Sequence, residues 1–152
     1  MAFIKSNLVL AIRAINDEEF SGFAGFPENV AEAAERWSLA IGNYAAAVTP
    51  PSTTFEPARQ ALKSQLLLAD SLGANAFIIG LTQYASILGG GMAPAFTATP
   101  PPIPIVLEPI FAAGFGGASA VTIANQLADV IDLWFKTGTA INNTSGATVN
   151  WN

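Results

Sequence analysis

The residue types that most often carry catalysis are missing from this chain. Neither histidine nor cysteine occurs in its 152 residues. Their absence excludes Ser-His-Asp and Cys-His nucleophiles, thiolate metal sites, and an imidazole that changes protonation near neutral pH. Any candidate site must therefore be built from carboxylates, amides, hydroxyls and the six Lys and Arg side chains.

One group of carboxylates stands near the start of a predicted helix. Glu28, Glu32 and Glu35 lie on one helical side, and three more acidic residues occupy positions 17–19. A calcium loop alternates oxygen ligands around a glycine and ends in a bidentate Glu, and this group lacks that spacing. We interpret it as a solvated helix start favoured by the helix dipole, and we expect no metal and no cofactor.

Glu108 is a lone carboxylate in the apolar segment TATPPPIPIVLEP, residues 97–109. Glycosidase chemistry needs a second carboxylate about 5–10 Å away. An enzyme that pairs Glu108 with Asp129 or Asp132 is one hypothesis. We favour an interface salt bridge or a solvent-facing position, and predict neither enzymatic activity nor a small-molecule substrate.

The overall charge indicates a partner of another kind. Charged residues make up 11% of the chain and hydrophobic residues 51%, against about 25% charged residues in a typical soluble domain. So few charges predict that a partner, lipid or further copies of the chain cover part of the apolar surface. The net charge is −5, with six scattered Lys and Arg residues, so we expect no nucleic-acid binding.

Hydrophobic spacing predicts the elements that must position these residues. Apolar steps of three and four residues predict helices over 4–16, 27–48 and 119–136. Between them, a third helix follows Thr53 and Glu56, which have capping-box spacing, and ends near residue 71. A fourth carries an apolar seam from Phe77 to Leu88. The prediction is a mainly α fold, a bundle of four to five helices forming one domain over residues 1–152.

Two extended segments accompany the helices. Prolines in the arm, residues 92–110, exclude a helix and any central strand, so we predict polyproline II or edge-like extended chain. The tail, residues 137–152, alternates around Asn-Thr-Ser-Gly and predicts a short extended or hairpin structure. The most apolar windows, 72–92 and 103–123, are interrupted by polar residues, glycine or proline, so we expect no stable membrane insertion.

Eight large apolar residues of the glycine-punctuated loop at 20–26, of the arm and of the tail are our predicted contact residues. They are Phe23, Phe26, Phe96, Ile103, Ile105, Leu107, Ile110 and Trp151.

The run GGGMAPAFTATPPPIPI, residues 89–105, and the run DLWFKTGTAINNTSGATVNW, residues 132–151, resemble small virion proteins of tailed bacteriophages. This resemblance implies a non-enzymatic structural component of a tail, baseplate, neck or capsid, assembled in the host bacterial cytoplasm. It carries over no functional residue. The expected partners are further copies of the chain or other virion proteins. A membrane-active or lipid-associated helical protein is the alternative.

Overall fold

The fold is mainly helical, with one small sheet. A computed structural model describes residues 3–16, 27–112 and 120–152. Its helices are α1 (Lys5–Asn16), α2 (Val30–Ala45), α3 (Phe55–Leu66), α4 (Ala69–Leu72), α5 (Ala74–Gly90), α6 (Glu108–Ala112) and α7 (Ala120–Phe135). Its strands are β1 (Phe96–Thr99), β2 (Thr139–Asn142) and β3 (Thr148–Asn150).

The mainly α prediction is confirmed, but the described residues form seven helices rather than four or five. The two additional helices are short. One is α4, which separates from α3 where the amide of Leu68 bonds to the carbonyl of Gln65, three residues back, and tightens the turn. The other is α6, so the prediction that the prolines exclude a helix up to residue 109 was wrong. Pro109 lies in the first turn of α6, where its missing N–H has no helical partner to lose.

Helix α2 shows how the periodic pattern becomes packing. It begins at Val30 rather than at 27, because Asn29 caps it and accepts the amide hydrogen of Glu32 at 2.9 Å. Its buried residues are Ala34, Trp37, Ser38, Ala40, Ile41, Tyr44 and Ala45. This face packs against α1 and α3.

The hydroxyls before α3 make different contacts from those predicted. Thr54, not Thr53, is the N-cap residue, and no side chain caps the helix. Instead, the hydroxyl of Thr54 donates to the carbonyl of Ile87 at 2.5 Å, and that of Ser52 donates to Leu88 at 2.6 Å. These hydroxyls add to the hydrogen bonds that both carbonyls, at the end of α5, accept from the N–H of Gly91.

One hydrophobic core joins these elements. Helix α3 packs on α5, and α1 packs between α2 and α7. An aromatic group lies where α1, α2 and α7 meet: the ring of Phe3 stacks on Tyr44 at 4.9 Å and lies 5.7 Å from Phe135. Leu8 and Ile12 are fully buried beside it.

The tail forms the predicted hairpin, β2–β3. The sheet order is β1-β2-β3 with antiparallel neighbours, so the arm supplies the third strand. Strand β1 is at an edge, as expected beside prolines, but its pairing with the tail was not predicted. The side-chain oxygen of Asn142 accepts the amides of Thr144 and Ser145, and Gly146 has a φ of 70°, which favours glycine in the turn.

Two members of the acidic group, Glu32 and Glu35, are paired with cations of α2 and α3. Arg59 lies 3.0 Å from Glu35 and 2.7 Å from Glu56, and Lys63 lies 2.5 Å from Glu35. Glu32 pairs with Arg36 one turn later. The described residues contain no cluster of acidic side chains that could hold a metal ion.

These ion pairs predict how stability depends on pH. The hydrogen bond from Arg59 lowers the pKa of Glu56 to about 2, and that from Lys63 lowers the pKa of Glu35. In the folded chain, the pKa values of these carboxyls lie below the unfolded value of about 4.3. The ion pairs therefore stabilise the fold fully above about pH 4.3, and this stabilisation is lost as the pH falls toward about 2. The free energy of unfolding, measured in urea at several pH values, should show this decline. It should fall less steeply with pH in Glu56→Gln than in the wild type. Equal slopes would contradict it.

Candidate functional site: an uncharged surface of arm and sheet

The proline-rich arm packs one side on its own helices and presents the other to solvent. Ile105 and Leu107 are 2% and 0% exposed, whereas Ile103 and Val106 are 69% and 59% exposed. The indole N–H of Trp134, on α7, donates to the carbonyl of Ile103 at 2.6 Å and holds the arm in place. The predicted contact residues of the arm are therefore divided between the core and the surface.

The remaining predicted contact residues differ in position. Phe96 and Ile110 are partly buried against the core. Trp151 is 1% exposed, and its indole N–H donates to the carbonyl of Thr139 at 3.0 Å. Phe23 and Phe26 lie outside the described residues.

Three hydrogen bonds of Asn143 that the sequence did not reveal join the tail to the arm. Asn143 donates its side-chain amide to the carbonyl of Pro94 at 2.7 Å, and its side-chain oxygen accepts the hydroxyl of Thr97 at 2.8 Å. Its backbone N–H bonds to the carbonyl of Ala95 at 3.0 Å. The alternating Phe-Thr-Ala-Thr pattern of β1 is typical of a strand. The prolines on either side of it, however, argued against pairing in a sheet.

Residues 92–107 of the arm and the tail, residues 137–152, together form what we call the uncharged surface. Neither segment contains an ionisable side chain. On the outward face of the sheet, the register places Thr97, Ile141 and Thr148 in one row and Thr99, Thr139 and Asn150 in the next. The exposed aliphatic residues of this surface are Ile103, Val106, Ile141 and Val149.

Both aspartates considered as partners of Glu108 already have partners of their own. Glu108 is exposed at the start of α6 and takes part in no ion pair among the described residues. Asp129 pairs with Lys5 at 2.6 Å on the surface. Asp132 is 5% exposed and accepts the hydroxyl of Tyr44 at 2.7 Å.

The contacts of Asp132 are typical of a structural role. Its second oxygen lies 2.9 Å from the ammonium of Lys136, so both oxygens have partners. Burial, together with the hydrogen bond to Asp132, raises the pKa of Tyr44 far above its usual range. Tyr44 therefore stays protonated and donates, and the pair links α2 to α7.

Two further observations bear on the surface. Among residues 3–16, 27–112 and 120–152, no helix is long and apolar enough to cross a membrane. Comparison with protein-family models, curated proteins and solved structures finds no match to this chain.

Proposed function

We propose that this chain is a non-enzymatic structural component of a bacteriophage virion that acts through protein–protein contacts in an oligomeric assembly. The observation that carries the proposal is the uncharged surface. Charged residues are depleted at the centre of protein interfaces, because each buried charge must be desolvated and paired. Here residues 92–107 of the arm and the tail supply polar, unionised and aliphatic groups over two long segments of chain.

The arrangement of the arm supports contact with a partner. Its inner residues, such as Leu107, are held by the chain's own helices, so the outer residues are presented on a supported backbone. A contact surface that is already ordered loses less conformational entropy on binding. Ile103 and Val106 therefore provide apolar area for a partner at a small ordering cost.

The assignment to a phage particle rests on the resemblance of residues 89–105 and 132–151 to small virion proteins. The proposed location is the virion, at the tail, baseplate, neck or capsid, after assembly in the bacterial cytoplasm. The partners are other copies of the chain or other virion proteins. The proposal involves no cofactor, nucleic acid, small-molecule substrate or stable membrane insertion.

Particle incorporation tests this function. Virions purified from a host carrying the gene should contain the chain in a fixed ratio to the other structural proteins, measured by quantitative mass spectrometry. The double variant Ile103→Lys, Val106→Lys should enter particles poorly, because it places two charges in the contact surface. Leu68→Lys is the matched control, since Leu68 is 47% exposed outside the uncharged surface.

Three outcomes would contradict the proposal. The chain could be abundant in infected cells but missing from purified particles. The double variant could enter particles as well as the Leu68→Lys control. The purified protein could float with lipid vesicles instead of joining particles, which would favour the lipid-associated alternative.

A further inference from the structure

Strand β3 has backbone groups that point away from the sheet. In an antiparallel pair, opposed residues alternate between exchanging hydrogen bonds and exchanging none. The N–H of Trp151 donates to the carbonyl of Gly138 at 2.8 Å, so Trp151 faces β2. By this alternation, the N–H and C=O groups of Thr148 and Asn150 face outward.

The chain itself already pairs with this outward edge at one point. Just beyond β3, the N–H of Thr49 donates to the carbonyl of Asn152 at 2.8 Å, and the N–H of Asn152 donates to the carbonyl of Thr49 at 3.1 Å. At Thr148 and Asn150, no described residue makes an equivalent bond. An open groove of about 610 Å³ lies beside them, lined by Lys136 and residues 148–152.

The opposite edge of the sheet is less available. The N–H of Phe96 in β1 donates to the carbonyl of Met92 at 3.1 Å. Pro94 and Pro100 flank the strand, and helix α5 packs against it. Proline lacks the N–H that a ladder needs, so it limits extension at this edge. Strand β3 is therefore the open edge of the described sheet.

We propose that a second copy of this chain docks on β3, with the two β3 strands antiparallel across a two-fold axis at Val149. This inference rests on the proposed function, because it names the partner for part of the uncharged surface. In this register, Thr148 of each copy opposes Asn150 of the other. The two copies exchange about four backbone hydrogen bonds, and the two three-stranded sheets become continuous.

Self-complementarity and charge favour a second copy as the occupant. Across the two-fold axis, the outward N–H and C=O groups of Thr148 in one copy lie opposite those of Asn150 in the other. The same surface can therefore pair with itself, as a two-fold contact requires. The chain has a net charge of −5, so most faces would bring carboxylates together in a homodimer. No ionisable side chain lies in β1, β2 or β3, and the nearby Lys136 is already paired with Asp132.

The contact is small, so its affinity in isolation is low. Interfaces below about 1,200 Å² form weak or transient complexes. In a particle, other contacts hold copies close together and raise their effective concentration. Sedimentation equilibrium should therefore be measured up to about 1 mM, where a millimolar dissociation constant is detectable.

Charged substitutions at the two opposed positions, Thr148 and Asn150, test the pairing. The variants Thr148→Lys, Asn150→Lys and Thr148→Glu, Asn150→Glu each place like charges opposite one another across the axis. Each variant alone should dimerise at least about tenfold more weakly than the wild type. Their 1:1 mixture should form a heterodimer at least as tight as the wild-type dimer, because every opposed pair is then Lys with Glu.

Two controls keep the outcomes separable. Thr99→Lys adds the same charge to the outward face on the far strand and should leave dimerisation unchanged. Circular dichroism should show that all variants fold, since Thr148 and Asn150 are exposed. If the wild type is monomeric at about 1 mM, the proposed pairing is overturned. The edge of β3 would then be free to pair with a strand of a different protein. A wild-type dimer that both charged variants retain also overturns the proposed pairing.

These results are independent of particle incorporation. A monomeric wild type that still enters virions overturns the β3 pairing alone. A β3 dimer that is missing from virions overturns the proposed function and leaves the pairing intact.

Discussion

Replacement of Trp151 by alanine is expected to lower the free energy of unfolding by about 3–5 kcal/mol. The indole is 1% exposed and lies against Gly138 and Gly89. A Cβ atom at Gly138 would stand only 2.6 Å from Cδ2 of this indole, so the residue fills its site closely. The substitution also removes the hydrogen bond from the indole N–H to Thr139. Urea unfolding followed by circular dichroism measures the change.

Two further variants separate the causes of that loss. Trp151→Phe keeps an aromatic ring but lacks the N–H donor, so its loss should be smaller than that of Trp151→Ala. Val149→Ala changes a residue of the neighbouring strand that is 39% exposed, and its effect should also be smaller. A value for Trp151→Ala within about 0.5 kcal/mol of the wild type would show that the tail is not anchored on the core.

Leu107→Ala is expected to destabilise the chain by about 2–5 kcal/mol, because Leu107 is fully buried and the cavity it leaves is only partly filled by relaxation. The neighbouring Val106→Ala is the matched control. Val106 is 59% exposed, so its truncation should change the free energy of unfolding by less than about 0.5 kcal/mol. Thermal and urea unfolding of both purified variants measure the difference.

The contrast between these two adjacent positions tests whether the arm is docked on its own helices. Equal, small effects would mean that the arm contributes no core contacts in the isolated chain. A large effect of Leu107→Ala with a neutral Val106→Ala would support the division of the arm into a buried side and a presented side. It would also identify Val106 as a residue that can be changed in particle experiments without loss of folding.

The local sequence predicted most of the helices because their causes are local. The spacing of Trp37, Ile41 and Tyr44 identified the buried face of α2, and each of these residues is in the core. Gly73, directly after α4, has a φ of 55°, which glycine adopts easily. The predictions of where α2 begins and of which residue caps α3 were less accurate. Asn29 and Thr54 hold those positions, and the alternatives differ by only a few residues.

The candidate surface was predicted only in part. The aliphatic character of the arm pointed to burial, and Ile105 and Leu107 are indeed buried, but in their own chain. The carbonyl of Ile103 accepts the indole N–H of Trp134, which lies 31 residues away. The sequence contained no rule that would place those two residues together.

Taken by itself, the sequence determined the helical class, the absence of histidine and cysteine chemistry, and two long segments without charge. These properties depend on composition and on residues within one or two helical turns. The tertiary structure decided that the two uncharged segments form one sheet, with Thr97 bonded to Asn143 across 46 residues of chain. It also decided which side of the arm is buried and which edge of the sheet is open. Such choices depend on which surfaces meet after the chain closes a long loop, and local propensity carries no information about that meeting.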